Sequence, residues 1–262
     1  MENEPNARGV STSVVHAFAI LDQVAAAGAE GITLAKLAGG ASKARSTIHR
    51  YVTTLLHLGV LRRDDGGRLH LGVRLLTLAT ELLDEDNLRS AATPVLRDLG
   101  ASTGETVHLG VPTGGRIVYI EKVESSHSVR LVSAIGHQVA MHCTSMGKAV
   151  LAQLPPDELD AALSQPRPAQ TVHTLTERDE LLADLAAIRA SGISMDEEEN
   201  ELGVCCVGAA ILDSRLRPVA AISVSGPSVR MTTERREEIA PLVLDAVRLI
   251  EQALGHRGQN AT

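Results

Sequence analysis

The chain has 262 residues, a net charge of −7, 44 % hydrophobic and 22 % charged residues, the balance of a folded globular protein with room for two modest domains. One Phe, two Tyr and no Trp leave the cores aliphatic and argue against a nucleic-acid surface that stacks bases on aromatic rings. Three cysteines make no disulfide framework, and no signal peptide or membrane-length apolar run is seen, so a cytoplasmic protein is expected.

Residues 1–10 are polar and aperiodic and read as a disordered arm. Val14, Ala17, Phe18, Leu21 and Val24 recur at helical spacing and predict a first helix. Thr33 is placed to cap a short helix over residues 34–38, and Gly39-Gly40 to turn the chain. In residues 42–61, Ile48, Tyr51, Val52, Leu55 and Leu56 form the stripe of an amphipathic helix, which Gly59 ends. Its other face carries Arg45, Ser46, Thr47, His49, Arg50, Thr53 and His57, side chains that bond phosphates and base edges. Residues 60–63, a turn at 64–67 and residues 68–71 then read as a β-hairpin.

Three helices followed by a hairpin predict a winged helix-turn-helix over residues 11–72, its third helix in the major groove of duplex DNA and its wing on the backbone. For the third helix alone, a solvated basic face explains the residues equally well. The surrounding charge decides between the two. Residues 31–63 contain no Asp or Glu, and residues 1–74 hold nine Lys/Arg against six Asp/Glu while the remainder holds sixteen against twenty-six. Arg45, Ser46, Thr47, His49 and Arg50 are the candidate readers, with Lys43, Arg62, Arg63 and Arg68 on phosphates.

A linker helix is expected over residues 73–87, its Leu75, Leu78 and Leu82 suited to pairing with a second copy. The second domain, residues 88–256, opens with a helix to about residue 102, in which Pro94 implies a kink or a later start. Strands follow at 106–111, 116–123 and 129–133, then helices at 144–154, 157–163 and 177–191. Strands at 204–212 and 218–225 and a closing helix at 233–254 complete an α+β domain on an antiparallel sheet, with a tail at 257–262.

Within this domain, residues 144–147 open a helix, and the free N–H groups of a helix start favour an anion such as a carboxylate. Ser223 and Ser225 share one face of a strand, either as hydrogen-bond partners for a ligand or as donors to a turn near Gly226-Pro227. Asp196 begins an acidic run, 196–199, most of which reads as a solvated loop. His142, Cys143, Cys205 and Cys206 fit no zinc spacing, and no cofactor motif is found; Lys148 after Gly147 lacks the glycines of a P-loop. A metal- or redox-sensing regulator, or a thiol enzyme using His142 and Asp196, stands as the alternative.

Several stretches at consistent mutual distances carry a resemblance: SVVHAFAILDQVA, GITLAKLA, RSTIHRYVTTLLHLG, LHLGVRLL, GETVHLGV, MHCTSMGKAVLA, MDEEENELGVCCVGAAILD and AAISVSGP. They resemble the IclR-type bacterial transcriptional regulators over almost the full chain. The resemblance implies an N-terminal winged helix-turn-helix, a linker helix and a C-terminal GAF/profilin-like effector-binding domain. It also implies homodimers, often paired as tetramers, on operator DNA, and a regulator, more often a repressor, of a metabolic operon. The family's effector contacts fall on Leu131, Val139, Ser145, Met146, Asp196, Val204, Cys206, Ser223 and Ser225, a set that resembles sites for small organic acids. No Lys or Arg belongs to that set, so backbone N–H groups would neutralise the ligand. One departure is the turn before the third helix, where the family's Gly-Leu-Pro-Lys is replaced by Ser42-Lys43-Ala44-Arg45.

Overall fold

The computed structural model describes residues 11–39, 45–84 and 87–255. The chain divides into two compact units, residues 1–85 and 86–262. The expected arm at 1–10, the tail at 257–262 and Lys43 lie outside the described residues.

The first unit contains α1 (Thr12–Ala26), α2 (Leu34–Gly39), α3 (Arg45–His57), the strands β1 (Leu61–Arg63) and β2 (Leu69–Leu71), and α4 (Val73–Asp84). Its core is aliphatic: Ile20, Val24, Leu37, Ile48, Val52, Leu55, Leu61 and Leu69 are buried together. The inward stripe of α1 is Ile20 and Val24 with Ala17 and Leu21 half-buried. Val14 and Phe18, expected in that stripe, are 54 % and 61 % exposed, because the buried row runs through Ile20 instead. Thr33 caps α2, its hydroxyl accepting from Lys36 N at 3.3 Å. The helix extends through Gly39, which is therefore not part of a turn. At the end of α3, Gly59 takes φ +70°, so that Val60 N donates to Leu55 O and Gly59 N to Leu56 O, both at 3.0 Å. This reversal delivers the chain into the β1–β2 hairpin, whose Leu69 also bridges to Ile32.

The second unit is a six-stranded antiparallel sheet of order β5-β4-β3-β8-β7-β6. Its elements in chain order are α5 (Asn87–Thr103), β3 (Thr106–Thr113), β4 (Arg116–Val123), β5 (Gln138–Ala140) and α6 (Ser145–Gln153). Then come α7 (Pro156–Leu163), α8 (Arg178–Ser191), β6 (Ser194–Glu197), β7 (Val204–Leu212), β8 (Pro218–Pro227) and α9 (Thr233–Ala253). Strand alternation sends Val107, Leu109, Val207, Ile222 and Val224 to a core shared with α5 and α9. On the other face, Ile117, Val139 and Ala221 pack with Met146, Val150, Leu151, Leu181 and Leu185 of α6 and α8. α5 runs continuously through Pro94, so the later start does not occur.

The expected strand at 129–133 is not formed. That segment has no neighbouring strand; Lys122 Nζ donates to its Ser133 O at 2.9 Å and Leu131 O at 3.4 Å, while Val129 and Val132 are exposed. The edge strands are instead β5 and β6, both short.

Candidate functional site

In the first unit, Ser46, His49, Arg50, Thr53 and His57 form the exposed face of α3, and Thr47 is half-buried at its margin. Arg45 opens the helix. The side chains of Arg50, Arg62 and Arg63 are exposed and make no hydrogen bond or ion pair among the described residues, so their donors are free for an external anion. Arg68 differs: its guanidinium donates to Glu30 O at 3.3 Å and Gly31 O at 3.4 Å. The wing turn is stiffened by Asp64, which accepts from Arg68 N at 2.8 Å and contacts His70 Nε2 at 2.9 Å. His70 and that backbone N–H hold the Asp64 carboxyl below its ordinary range.

In the second unit, the register lays polar residues across the sheet in two rows. Asp196 pairs with Cys206, Cys206 with Ser225 and Ser225 with Thr106; the next row is Ser194, Gly208, Ser223 and His108. Helix α6 lies against this face. Its start is held close because Gly147 packs on Met141, where a Cβ would stand 2.3 Å from the Met141 backbone. Thr144 caps the helix by accepting from Gly147 N at 3.2 Å. Ser145 N and Met146 N make no bond to the described residues, as expected of the first helical N–H groups.

Between the helix start, the two rows and residues 130–133 lies a cavity of about 270 Å³. Leu131, Val139, Ser145, Met146, Asp196, Val204, Cys206, Ser223 and Ser225 all line it. Ser223 and Ser225 stand on β8 with their hydroxyls 3.2 Å apart; the strand continues to Pro227, so these hydroxyls do not serve a turn. Arg130 also lines the cavity, correcting the expectation that no cation does. So do His108, Tyr119, His137 and Asn200, which sequence reasoning missed. His108 was detectable in principle, since it alternates with Val107 and Leu109 and must face the other side of β3. It stacks on Tyr119 with ring centroids 4.5 Å apart, and Tyr119 is tilted on His137 at 5.9 Å.

The cavity's electrostatics are set mainly by burial. His108 is held neutral, its pKa pushed down to about 3 by burial and then by the Lys122 ammonium. Its Nε2 lies 2.8 Å from Ser133 Oγ, while Nδ1 is buried without a partner among the described residues. Asp196 is 2 % exposed and accepts from Glu199 N at 2.9 Å and Asn200 N at 3.4 Å. Burial, and then the Glu199 carboxylate, raise its pKa to about 7. The solvated reading of residues 196–199 is thus overturned for two of the four, because Glu199 is also buried, at 6 % exposure. Glu199 Oε1 is 2.5 Å from Lys148 Nζ, which also meets Asp184 Oδ2 at 2.9 Å.

Cys143 and Cys206 are buried, and burial pushes the first thiol up to about 12 and the second well above its ordinary value. Both shifts run against the thiolate that a thiol nucleophile requires. Cys205 faces the opposite core. No helix among the described residues is long and apolar enough to cross a membrane.

Residues 13–65 match the family model of the IclR helix-turn-helix domain, and residues 80–252 that of the bacterial transcriptional regulator IclR C-terminal domain. The chain is 33 % identical over 253 residues to the transcriptional repressor IclR of Escherichia coli K12, covering 95 % of this chain and 92 % of that protein. It is 34 % identical over 246 residues to the glycerol operon regulatory protein of Streptomyces coelicolor, covering 93 % and 96 %. The crystal structure of Thermotoga maritima IclR superposes with a TM-score of 0.74 at 33 % identity, over 93 % of this chain and 98 % of that one. These matches span the exposed basic helix and the enclosed cavity alike, and the chain belongs to the IclR family of bacterial transcriptional regulators.

Proposed function

We propose that the protein is a repressor of a metabolic operon, released from its operator by a small organic acid bound in the second unit. The observation that supports the acid most directly is the cavity floor. The unpaired N–H groups of Ser145 and Met146 at the start of α6 lie beside the Ser223 and Ser225 hydroxyls, in a space of about 270 Å³. A helix start carries partial positive charge and favours a carboxylate, and the volume equals that of roughly nine liquid waters, a small metabolite. Leu131, Val139 and Val204 supply apolar walls for its carbon skeleton. Asp196, able to hold a proton near neutrality, donates to the ligand or accepts from its hydroxyl. The named relatives, a repressor and an operon regulator, support the repressor reading.

The test is a gel shift on the DNA flanking the protein's own gene, with and without a panel of small acids. Arg50→Ala should weaken operator binding by about 1–3 kcal/mol, the worth of a base-edge contact. Arg63→Ala should weaken binding to any sequence alike and flatten the salt dependence. Arg45, Ser46, Thr47 and His49 complete the reading face, with Lys43 and Arg62 on phosphates; Arg68, tied to its own backbone, contributes less. Operator binding that ignores both substitutions would move the reading surface elsewhere.

The working form is at least a homodimer. Val14 and Phe18 of α1 and Val73 and Leu78 of α4 are more than half exposed, apolar area that a second copy would cover. Light scattering at micromolar concentration should give at least twice the mass of one chain; a monomer throughout would count against it.

A further inference from the structure

A second pocket adjoins the cavity and shares His137, Val139 and Asn200 with it. It measures about 580 Å³ and is walled by the start of β4, β5, the ends of α6 and α7, and residues 165–170. No Asp or Glu lines it, although this unit carries a large excess of acidic residues. Arg116, Arg167, His137 and His142 do line it.

Arg167 is fixed without any carboxylate. Its Nη1 donates to Leu163 O and to Gln165 O, and its Nε to Thr176 O at 3.4 Å, leaving Nη2 without a partner among the described residues. Arg116 is exposed, and its side chain likewise makes no hydrogen bond or ion pair among them. His142 is buried, with Nε2 3.1 Å from Pro168 O and Nδ1 left open. Burial first, and the Arg167 charge as well, hold its pKa below the ordinary histidine range. The carbonyls of Leu163 and Gln165 already accept from Arg167, and that of Pro168 lies on His142. Two guanidinium charges therefore share one concave space with nothing negative to offset them, and the planar fork of Arg is matched to oxyanions.

We propose that this pocket binds a small doubly charged oxyanion, a phosphomonoester or a dicarboxylate, separately from the acid in the neighbouring cavity. Arg116 and Arg167 carry the contacts, and His142 takes up a proton as the anion enters. The site stands whether or not the neighbouring cavity takes an acid.

The test titrates the full-length protein with inorganic phosphate, and separately with succinate, in the millimolar range at constant ionic strength. Calorimetry gives the affinity, and NMR follows the His142 ring against pH. Saturable binding of at least one dianion is expected, weakened roughly tenfold by Arg116→Ala, which removes a charge-assisted contact at an exposed position. Binding should be unchanged in Arg215→Ala, an exposed position on the turn between β7 and β8, and the His142 titration midpoint should move up when the anion is present. Phosphate alone binding assigns a phosphomonoester, and succinate alone a dicarboxylate. The proposal is overturned if neither dianion saturates, if Ser223→Ala weakens binding while Arg116→Ala does not, or if the His142 midpoint stays in place.

Discussion

Lys148→Met is expected to destabilise the second unit by about 3–5 kcal/mol, the cost of breaking a buried ion pair from one side. Lys148 is 2 % exposed and is held between Glu199 Oε1 at 2.5 Å and Asp184 Oδ2 at 2.9 Å. Burial alone would lower its pKa, but the two carboxylates outweigh burial and hold it above the ordinary lysine range. Removing the ammonium strands Glu199, whose Oε2 is already buried without a partner among the described residues. Glu199 must then take a proton or pull its loop toward water. That loop also forms the cavity wall, since Glu199 N donates to Asp196 Oδ1. Ligand affinity should therefore fall with stability in Lys148→Met. The double variant Lys148→Met, Glu199→Gln should recover part of both, because it removes the stranded buried carboxylate and leaves only Asp184, whose side chain is partly exposed to water. Urea denaturation measures it; a loss below about 1 kcal/mol in the single variant would show that the pair behaves like a surface bridge.

Residues of this triad show where the sequence was legible and where it was not. Helix α3 was legible because its signals are local: the apolar period from Ile48 to Leu56, the Gly59 cap and the acid-free window. The long hairpins β3–β4 and β7–β8 alternate over eight residues or more and were found as well. Short edge strands were not, because β5 has three residues and β6 four, too few for a period of two to stand out. The apolar residues at 129–133 mimicked a strand, yet Lys122 took their carbonyls. Glu199 looked solvated because the lysine that it meets lies 51 residues away in sequence. In α1, Val14 and Phe18 share the helical period but lie off the buried row, which periodicity alone does not distinguish. The nine residues that the resemblance names line one cavity, whereas the His108–Tyr119–His137 wall needed the strand register to become visible.

Asp196→Asn is expected to stabilise the protein at pH 8 by as much as about 4 kcal/mol, with the gain shrinking toward zero at pH 4. The sign follows from the direction of the shift. The folded-state pKa is raised to about 7 by burial and by Glu199, so the folded state binds this proton more tightly than the unfolded chain does. Its contribution is intact below the unfolded value near 4 and is lost as pH rises through about 7. Asn keeps an oxygen to accept from Glu199 N and Asn200 N and never ionises, so the loss disappears. The other ionisable groups around the cavity do not give the same window. His108 stays neutral, Tyr119 and Cys206 are pushed upward by burial, and Lys148 is held charged by its carboxylates. The same proton governs the ligand. An anion in the cavity raises the cost of a charged Asp196, so binding takes up a proton and affinity should fall by up to about tenfold per pH unit above pH 7. In Asp196→Asn the affinity should be flat over that range, since the amide presents an N–H at every pH. Calorimetry of an acid effector in buffers of different ionisation enthalpy reads the proton directly. Equal proton uptake in the wild type and in Asp196→Asn would show that Asp196 is not the group that takes up the proton.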